Sequence, residues 1–477
     1  MELLKQSNKM EFDRVLGFSE GFHDAALCVV DTEGEILFAS SSERYSGRKN
    51  DSRITTKLIQ AAHPFLCDHQ YVKAYYEDQQ KKNWRMMLSG QRKCKQTTMS
   101  YDYSYPHHMS HAAAAFQTGP YDEAVAVVID AIGEFDTASI WTCSYKEGKA
   151  VYNKKWSMKY PKSLGLFYSA MTGRVSLRPM DEEYIMMGMA AYGKPIFVNE
   201  MKPLLKRNLH RGARYFQPDG KDVDIAATAQ RILEEGVLSI FDRASKYGDN
   251  FVYGGGVALN CVANSIIVKK YPNLWIMPCP GDAGGALGAA ALTVGCKLNW
   301  KDPYLGYELP VVDEKEVVKQ LLKNKIVGVA SGKAEFGPRA LGNRSLLADP
   351  RGATIKNDVN AIKNRQKFRP FAPAILEEHY HNYFLGNPDS KYMQYTSICT
   401  KPHEFPAIVH VDNTSRVQTV GPNDNTILRK VLELWYNKTK CPMLLNTSLN
   451  IRNSPMVNDY YDAISFGKMY EVPVIVK

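Results

Sequence analysis

Two separate segments of the chain repeat one pattern of strand, polar loop and strand. The first, Arg14 to Gly47, reads as three apolar strands, with a polar loop after the first strand and a turn at Thr32 to Gly34. The second, Glu123 to Tyr145, reads as a β-branched strand, an acidic loop that contains glycine, and a strand that continues to Cys143. This repetition predicts that one supersecondary unit occurs twice in the fold.

Helices and glycine turns alternate with strands elsewhere in the chain. Apolar spacing predicts helices over Ile54 to Leu66 and Ala226 to Ala244, whereas the polar stretch up to Ser100 reads as mixed helix and surface loop. Two units of strand, glycine turn and helix then follow, in the sequences NFVYGGGVALNCVANSIIVKK and LWIMPCPGDAGGALGAAALTVG. This alternation predicts an α/β fold.

The chain length predicts two domains. A chain of 477 residues is longer than the about 250–300 residues that one hydrophobic core serves. We expect a first domain over residues 1–305 and an α/β or α+β domain over residues 312–477. The segment LGYELP, which contains glycine and proline, is the expected linker.

The composition indicates ordinary globular domains. With 44% hydrophobic and 23% charged residues, the chain is not wholly disordered. Its nine cysteines include no CxxC pair and are typical of a reducing compartment. The charged start lacks the apolar core of a signal peptide, and no apolar run approaches the about 20 residues of a membrane helix. We therefore expect a cytoplasmic protein with no membrane segment.

Histidines four residues apart in PHHMSHAAAAF form the densest candidate site. On a helix, His107 and His111 share one face, so both imidazoles can bind one divalent metal. Asp130, at the end of the strand AVAVVID, and Asp282, in PGDAGGA, could supply oxygen ligands. Such a mixed set suits iron, manganese or zinc. The alternative is that the histidines cap the helix or pack at its start.

Two glycine-rich turns between a strand and a helix can hold phosphate through backbone N–H groups and the helix N-terminus. The turns are GGGVALN and GDAGGALG, and their candidate residues are Gly255, Gly256, Asn260, Gly284 and Gly285. Neither turn matches the P-loop or the dinucleotide fingerprint. The alternative is that these glycines serve only a positive φ or close packing.

A second group of candidates lies in the C-terminal half, where cations alternate with apolar residues. The segments EFGPRALGNRSLLADPR and NAIKNRQKFRPFAP supply Arg339, Arg344, Lys363, Arg365 and Arg369. Further polar groups follow apolar strands at Arg416, Ser448 and Asn450. Because such cations bind phosphate and carboxylate, a pocket that contains several of them suits an anhydride or a phosphorylated substrate. The alternatives are a basic surface strip and turn capping.

A basic stretch rich in aromatic residues lies between residues 73 and 95. Its members are Tyr75, Tyr76, Lys81, Lys82, Trp84, Arg85, Arg92, Lys93 and Lys95. Together with the formal charge of +10, it motivates the hypothesis of a protein that binds nucleic acid without catalysis. The alternative is a solvated basic loop, because charge alone attracts any polyanion and confers no specificity.

A series of motifs runs in a fixed order from about Gly17 to Asn450. They are FHDAA, SERYSGRK, HHMSHAAAAF, VVIDAIGE, MGMAAYG, GGVALNCVAN, GDAGGALGAA, EFGPRALGNRSLLADPR, FRPFAP, HVDNTSRVQ and LLNTSLN. Together they resemble the NodU/CmcH-type O-carbamoyltransferases. The resemblance implies an N-terminal domain with the duplicated actin-like ATPase (ASKHA) fold, similar to the TsaD enzymes, and a C-terminal YrdC-like α/β domain. The repeated strand–loop–strand unit fits that duplication.

The resemblance also implies a reaction in two steps. The C-terminal domain joins carbamoyl phosphate and ATP into carbamoyl-adenylate and releases pyrophosphate. An acceptor hydroxyl then attacks the carbamoyl carbon in the N-terminal domain, and AMP leaves. Mg²⁺ accompanies ATP, and the family's own metal is usually iron. The positions of the family's metal ligands match His107, His111, Asp130 and Asp282.

By position, Lys363 and Arg365 match the family's KxR anchor for the carbamoyl and phosphate groups. Its other polar contacts match Arg416, Ser448 and Asn450, and the pocket's remaining cations are Arg339 and Arg344. The loop FHDAA matches the family's active-site loop. His23 or Asp24 in this loop is therefore the candidate that orients or deprotonates the acceptor.

The chain departs from the family at two positions. Ile185 stands where many relatives have the lysine of GEYKVMG, and Ala131 replaces a glycine in IDAIGE. Any nucleotide or acceptor contact of that lysine is missing here, and the acceptor pocket is expected to differ.

The charge balance bears on the acceptor. We expect its hydroxyl to belong to DNA or a nucleotide, for instance a hydroxymethyl group on a pyrimidine. A polyanionic acceptor would suit the net charge and the stretch from Lys73 to Lys95. The alternatives are a small-molecule or sugar alcohol as acceptor, and a metabolite kinase in place of a carbamoyltransferase.

Overall fold

The N-terminal part of the chain forms two five-stranded sheets with helices packed against them. The computed structural model describes residues 12–91, 97–366 and 368–477. Up to Val294 its strands and helices are β1 (Arg14–Ser19), β2 (Ala26–Asp31), β3 (Ile36–Ser41), α1 (Glu43–Ser46), α2 (Thr56–Ala62), β4 (Tyr71–Tyr75), α3 (Gln79–Leu88), β5 (Tyr103–Ser104), α4 (His107–Gln117), β6 (Glu123–Ile129), β7 (Asp136–Lys146), β8 (Lys149–Lys159), α5 (Leu164–Arg174), α6 (Glu183–Met189), α7 (Val198–Met201), α8 (Asp222–Ala244), β9 (Phe251–Gly254), α9 (Cys261–Lys270), β10 (Leu274–Trp275) and α10 (Asp282–Val294). Short 3-10 helices lie at His63–Phe65, Ala190–Tyr192, Lys202–Lys206, Ser245–Tyr247 and Gly256–Leu259.

Both sheets have the same strand order and the same strand directions. The first has the order β3-β2-β1-β4-β5 and the second the order β8-β7-β6-β9-β10. β1 is antiparallel to β2 and parallel to β4, and β6 is likewise antiparallel to β7 and parallel to β9. The outer strand pairs also correspond. β2–β3 and β7–β8 are antiparallel, whereas β4–β5 and β9–β10 are parallel. The expected duplicated actin-like fold is confirmed.

The duplication places equivalent features around one point. In each half a polar loop joins the first two strands, at residues 20–25 between β1 and β2 and at residues 130–135 between β6 and β7. In each half a helix follows the fifth strand, namely α4 after β5 and α10 after β10. The helices begin at His107 and Asp282, and the loops carry His23 and Asp130. The fold itself therefore brings these side chains together.

Glycines let α10 lie directly against α4 and the first sheet. A Cβ at Gly288 would lie 1.8 Å from the carbonyl oxygen of Ser110 on α4. A Cβ at Gly17, on β1, would lie 2.1 Å from the carbonyl oxygen of Ala286. Since side-chain carbons do not approach backbone oxygens this closely, both positions require glycine.

The C-terminal part of the chain is a second α/β unit around a mixed six-stranded sheet. Its strands and helices are β11 (Tyr304–Leu309), α11 (Glu314–Asn324), β12 (Ile326–Ala330), β13 (Gly332–Glu335), β14 (Arg344–Ala348), α12 (Ile355–Ile362), β15 (Ala372–Leu376), β16 (Phe384–Leu385), β17 (Ser397–Cys399), β18 (Thr414–Ser415), β19 (Gln418–Val420), α13 (Ile427–Thr439), β20 (Met443–Ser448), α14 (Tyr460–Tyr470) and β21 (Val474–Ile475). A 3-10 helix lies at Glu377–Asn382. The sheet has the order β19-β15-β20-β14-β12-β21, antiparallel at its centre and parallel at both edge pairs. Leu321, Trp435 and Phe466 bring α11, α13 and α14 into its apolar core.

The segment LGYELP, expected to be a linker, lies mostly in the strand β11. This strand pairs with β13 of the C-terminal unit, and Leu309 packs in that unit's core. Contacts also cross between the units, because Arg44 of α1 donates to the carbonyl oxygens of Val457 and Glu335 at 3.2 Å each. The boundaries 1–305 and 312–477 stay a prediction.

Most elements predicted from the sequence occur where expected. The segment from Ile54 forms α2 and a 3-10 turn, and the segment from Ala226 lies within α8. The prediction of mixed helix and loop up to Ser100 is wrong for β4. Lys73 interrupts the apolar residues of this strand and obscures the pattern, but pairing of β4 with β1 stabilises the strand.

The cysteines of the described residues are unpaired thiols, and Cys94 lies outside those residues. Within the described ranges, no helix combines the length and the apolar composition that a membrane-spanning helix requires.

Replacement of Gly288 tests the contact between α10 and α4. We expect Gly288→Ala to lower the free energy of unfolding by about 1–3 kcal/mol, because the new methyl group overlaps the carbonyl oxygen of Ser110. Gly188→Ala, within α6, is the matched control, because a Cβ there meets no atom within 4 Å. It should stabilise the helix by up to about 1 kcal/mol. Urea unfolding measures both changes. If Gly288→Ala had the same free energy of unfolding as the wild-type protein, α10 could move away from α4 without loss of stability.

Candidate functional site

Two histidines and two aspartates form a buried cluster between the two halves of the N-terminal part. His107 and His111, one turn apart on α4, meet Asp130 after β6 and Asp282 at the start of α10. One ligand atom from each lies within 4.8 Å of the others. The Nε2 of His107 is 3.0 Å from the Nε2 of His111 and 3.0 Å from an oxygen of Asp130. The Nε2 of His111 is 3.4 Å from an oxygen of Asp282.

This donor set fits a divalent metal ion. Two imidazoles and two carboxylates converge, and no lysine or arginine of the described chain forms an ion pair with either aspartate. Mixed nitrogen and oxygen donors suit iron, manganese or zinc. The structure thus brings together the four residues that the sequence singled out.

The charges within the cluster depend on one another. Burial alone would raise the pKa of Asp130 and of Asp282. The hydrogen bonds from both histidines to Asp130, and the charge of His107 near Asp282, outweigh burial and lower both pKa values far below the ordinary value. The carboxylates in turn raise the pKa of His107 and His111 against the effect of burial. Imidazole protons therefore balance the carboxylates, and a bound cation can take their place.

His23 and Asp24 lie beside this cluster, in the loop between β1 and β2. The Nδ1 of His23 is 2.9 Å from an oxygen of Asp24, and its Nε2 is 3.6 Å from an oxygen of Asp282. Burial opposes the charged imidazole, but Asp282 and Asp24 outweigh burial and raise the pKa of His23 to about 9. Asp24 has a φ of 52°, a left-handed conformation that recurs at active sites. The loop holds the two residues as a hydrogen-bonded pair.

Two candidate residues of the first glycine turn line the central cavity. Gly256 and Asn260 line it, and the N–H of Gly256 lies 3.3 Å from Oδ1 of Asp130. Asn260 also caps α9 and forms two hydrogen bonds with Gln230. These two positions could contact a phosphate.

The other candidate glycines do not line the cavity. Gly255 has a φ of 89°, and a Cβ there would lie 2.3 Å from the carbonyl oxygen of Ile129. A Cβ at Gly284 would lie 1.9 Å from the carbonyl oxygen of Cys279, and one at Gly285 would lie 2.6 Å from the ring of Tyr76. Positive φ and close packing, the alternative considered for these turns, therefore account for all three glycines.

Lys363, Ser448 and Asn450 form one polar cluster in the C-terminal unit. The Nζ of Lys363 donates to the carbonyl oxygen of Ser448, to its hydroxyl at 3.0 Å, and to Oδ1 of Asn450 at 2.7 Å. Burial, followed by the charges of Arg365 and Arg369, lowers the pKa of Lys363 well below its ordinary value. The charged form of Lys363 is therefore destabilised, and a bound anion would stabilise it.

Five arginines line the same cavity as this lysine. Arg452 is paired with Glu182, whereas the other four have no carboxylate partner among the described residues. These four are Arg339, Arg365, Arg369 and Arg416. Arg365 stacks on Phe371, 4.2 Å from the ring centroid, and Arg369 stacks on Tyr184 at 4.6 Å. Burial lowers the pKa of all four, and no carboxylate of the described residues opposes that effect. Because a guanidinium group stays charged in proteins, the cavity wall carries unbalanced positive charge.

Arg344 does not belong to this group, which corrects its assignment as a substrate contact. It is fully buried at the start of β14 and does not line the cavity. All its guanidinium nitrogens donate to backbone carbonyls, those of Tyr307, Ser331, Gly332, Asn343 and Asn458. With each nitrogen already bonded to the main chain, Arg344 joins segments of the fold.

One cavity of about 420 Å³ joins the two sets of residues. The N-terminal part contributes His23, Asp24, Asp130 and Asp282 to its wall. The C-terminal unit contributes Lys363, Ser448, Asn450 and the four arginines. The cavity therefore lies between the two units, with carboxylates from one and cations from the other.

The sequence-based site omits Glu183 and Tyr184 of α6, which also line the cavity. Oε1 of Glu183 accepts hydrogen bonds from the hydroxyl of Ser169 and the N–H of Met180, and burial raises the pKa of Glu183. The signal for both residues is their place in the motif DEEYIMMGMAAYG. Ile185, in place of the family lysine, is fully buried, so this position adds packing and no cation to the cavity.

Four of the six described members of the basic stretch around α3 are buried. Tyr75 and Tyr76 are fully buried, Lys82 pairs with Glu77, and Arg85 donates to the carbonyl oxygen of Glu134. The expectation that these residues track phosphates and stack bases is therefore wrong. On the same helix Lys81 and Trp84 are exposed. Arg92, Lys93 and Lys95 lie outside the described residues.

Known proteins resemble this chain over most of its length. A family model described as Carbamoyltransferase N-terminus matches residues 57–217 and 207–291, and one described as Carbamoyltransferase C-terminus matches residues 318–476. An uncharacterized protein from Synechocystis sp. is 29% identical, over 94% of this chain and 93% of its own length. The nodulation protein NolO from Bradyrhizobium diazoefficiens is 30% identical, over 75% of each chain.

Solved structures give more distant similarities. HypF from T. kodakarensis is 13% identical with a TM-score of 0.36, over 60% of this chain and 48% of that chain. The family models cover both parts of the chain, and the NolO relative spans three quarters of it. The chain belongs to the carbamoyltransferase family and is a carbamoyltransferase.

Proposed function

We propose that this enzyme activates carbamoyl phosphate with ATP among the cations of the cavity and transfers the carbamoyl group to a hydroxyl beside the His/Asp cluster. One observation carries the proposal. Lys363 and four arginines, none with a carboxylate partner in the described chain, share a cavity with the two aspartates of the candidate metal cluster.

The unbalanced positive charge selects the substrates. Cations held away from water without counter-ions are costly, and bound anions offset that cost. Carbamoyl phosphate and the triphosphate of ATP are such anions, and guanidinium and ammonium groups bind them through charge-assisted hydrogen bonds. Lys363 and Arg365 are the proposed anchor, with Arg339, Arg369 and Arg416 around it.

The activation step consumes one water molecule. Water cleaves carbamoyl phosphate into carbamate and phosphate, and a carbamate oxygen attacks the α-phosphorus of ATP. The bond between the α-phosphorus and the oxygen that bridges it to the β-phosphorus breaks. Pyrophosphate is released, and carbamoyl-adenylate remains. In the transfer step the acceptor oxygen attacks the carbamoyl carbon, and AMP departs with the bonding electrons. The product is an O-carbamate.

The pair His23–Asp24 orients the acceptor hydroxyl and takes its proton. Because a pKa of about 9 keeps His23 protonated at neutral pH, the carboxylate of Asp24 is the member of the pair that can accept this proton. Both residues line the cavity and are hydrogen bonded to each other, so the acceptor can approach them directly. His107, His111, Asp130 and Asp282 would hold the metal ion, with iron, manganese or zinc as candidates. A bound ion supplies Lewis-acid stabilisation of charge on a phosphate or carbonyl oxygen, and Mg²⁺ accompanies ATP.

The shared cavity also bears on the intermediate. Activating residues and transferring residues face the same cavity of about 420 Å³. Carbamoyl-adenylate can therefore meet the acceptor without release into solvent, where water would hydrolyse it.

For the acceptor we propose a hydroxymethylated pyrimidine nucleotide, free or in DNA. An exposed aromatic ring in the active-site loop supports this choice. Phe22 is 42% exposed and lies 5.1 Å from the ring of His23. A base can stack on such a ring. Sugar and small-molecule alcohols are the alternative acceptors.

Mass spectrometry of candidate acceptors, after incubation with ATP and carbamoyl phosphate, tests this function. We expect the nucleotide to gain one carbamoyl group, and to gain nothing when carbamoyl phosphate is omitted. Gain on a sugar alcohol alone would overturn the acceptor and leave the chemistry in place. A phosphorylated acceptor would instead identify a kinase.

Removal of the anchor lysine tests the activation site. We expect Lys363→Ala to lower carbamoyl-phosphate-dependent release of pyrophosphate at least about 30-fold, since truncation of a charged contact costs about 2 kcal/mol or more. Lys356→Ala, on the helix α12 that directly precedes Lys363 but outside the cavity wall, is the matched control and should retain the activity. Equal rates for both variants would remove Lys363 from the site.

Removal of a cluster ligand tests the metal site and the division of the two steps. We expect purified His111→Ala and Asp282→Ala to contain less metal by elemental analysis and to lose transfer, while pyrophosphate release persists because the cations are intact. His108→Gln is the control, since its ring bonds Ser139 at 2.8 Å and lies outside the cluster. Full metal occupancy in both ligand variants would refute the assignment.

A further inference from the structure

A buried carboxylate that has no part in the proposed chemistry lies behind the metal cluster. Glu77 follows β4 and is fully buried. Its Oε2 lies 3.5 Å from Nδ1 of His107, the ring nitrogen on the side away from the cluster. That Nδ1 makes no hydrogen bond with another described residue. The carboxylate of Glu77 is therefore positioned to accept a hydrogen bond from Nδ1 of His107.

Glu77 is itself held firmly. Both of its oxygens accept from Nζ of Lys82 at 2.7 Å, and Oε1 also accepts from the hydroxyl of Tyr75 at 2.9 Å. The ammonium of Lys82 balances the charge of this carboxylate. The hydrogen bonds from Lys82 and Tyr75 fix its position, and its remaining face can accept a proton donor.

A different buried carboxylate, that of Glu134, positions the backbone at the start of α4. Oε1 of Glu134 accepts from the main-chain N–H of His107 and from that of Asp78, both at 2.9 Å. Glu134 thus fixes the backbone at the helix start, whereas Glu77 faces the imidazole itself. The two buried carboxylates have separable roles.

We propose that Glu77 is a positioning residue that orients His107 for metal binding, a role that rests on the metal site proposed above. Its carboxylate accepts the Nδ1 proton of neutral His107, so that the lone pair of Nε2 faces His111, Asp130 and Asp282. Ligating histidines generally depend on such an outer partner, and loss of that partner weakens metal binding about 10- to 100-fold. The alternative is that Glu77 serves only as counter-ion to buried Lys82.

A matched pair of variants separates these roles. Lys82→Met removes the buried ammonium and keeps the carboxylate, whereas Glu77→Gln/Lys82→Met removes both. Because the amide oxygen that Glu77→Gln leaves can still accept from the hydroxyl of Tyr75, the main difference within the pair is the group that faces His107. We expect the double variant to bind Co²⁺ about 10- to 100-fold more weakly than Lys82→Met, measured on the full chain by competition with a chelator. Equal affinities would overturn the inference.

Further variants guard against misfolding and against failure of the metal site. Glu77→Asp keeps the charge opposite Lys82 but withdraws the carboxylate from His107, so it should also weaken Co²⁺ binding, and unchanged affinity would contradict the role. Glu134→Gln retains the carbonyl oxygen that accepts both N–H groups and should bind Co²⁺ like wild type. Wild-type protein that binds no Co²⁺ would overturn both the metal site and the role of Glu77. Wild-type binding with equal variant affinities would remove the role of Glu77 alone.

Discussion

The close approach of α10 to α4 is the contact on which the site depends. It needs a bare backbone at Gly288, where a Cβ would lie 1.8 Å from the carbonyl oxygen of Ser110. Because the two helices follow equivalent strands of the duplicated fold, their N-termini meet at its centre. His107 and Asp282 are the first residues of those helices, and the polar loops of the two sheets bring His23 and Asp130 to the same point. The duplication thus creates the cluster.

Charge of opposite sign lines the rest of the cavity. The N-terminal part contributes carboxylates and the C-terminal unit contributes Lys363 and four arginines, and across the described chain these two sets form no ion pairs with each other. The arginines are therefore left with a charge that bound anions must balance, whereas the aspartates are balanced by imidazole protons that a metal ion can replace. A metal ion and phosphorylated substrates satisfy both demands in one space.

The sequence predicts the parts of this site that local patterns encode. Helical spacing places His107 and His111 on one face, and strand ends place Asp130 before a loop. Long-range packing decides the remainder. Arg344 and Lys363 lie in similar cationic segments, yet only contacts with distant carbonyls such as those of Tyr307 and Asn458 show that Arg344 is structural. Glu77 lies in no motif, because its role depends on the segment after β4 lying beside the start of α4.

A crystal structure with carbamoyl phosphate and a non-cleavable ATP analogue, α,β-methylene-ATP, is the most direct test of the central claim that the unpaired cations form the substrate site. We expect phosphate oxygens within hydrogen-bonding distance of Lys363 and Arg365, with both ligands inside the cavity that also holds the His/Asp cluster. Ligands bound elsewhere, with the five cations bonded to no anion, would contradict the claim.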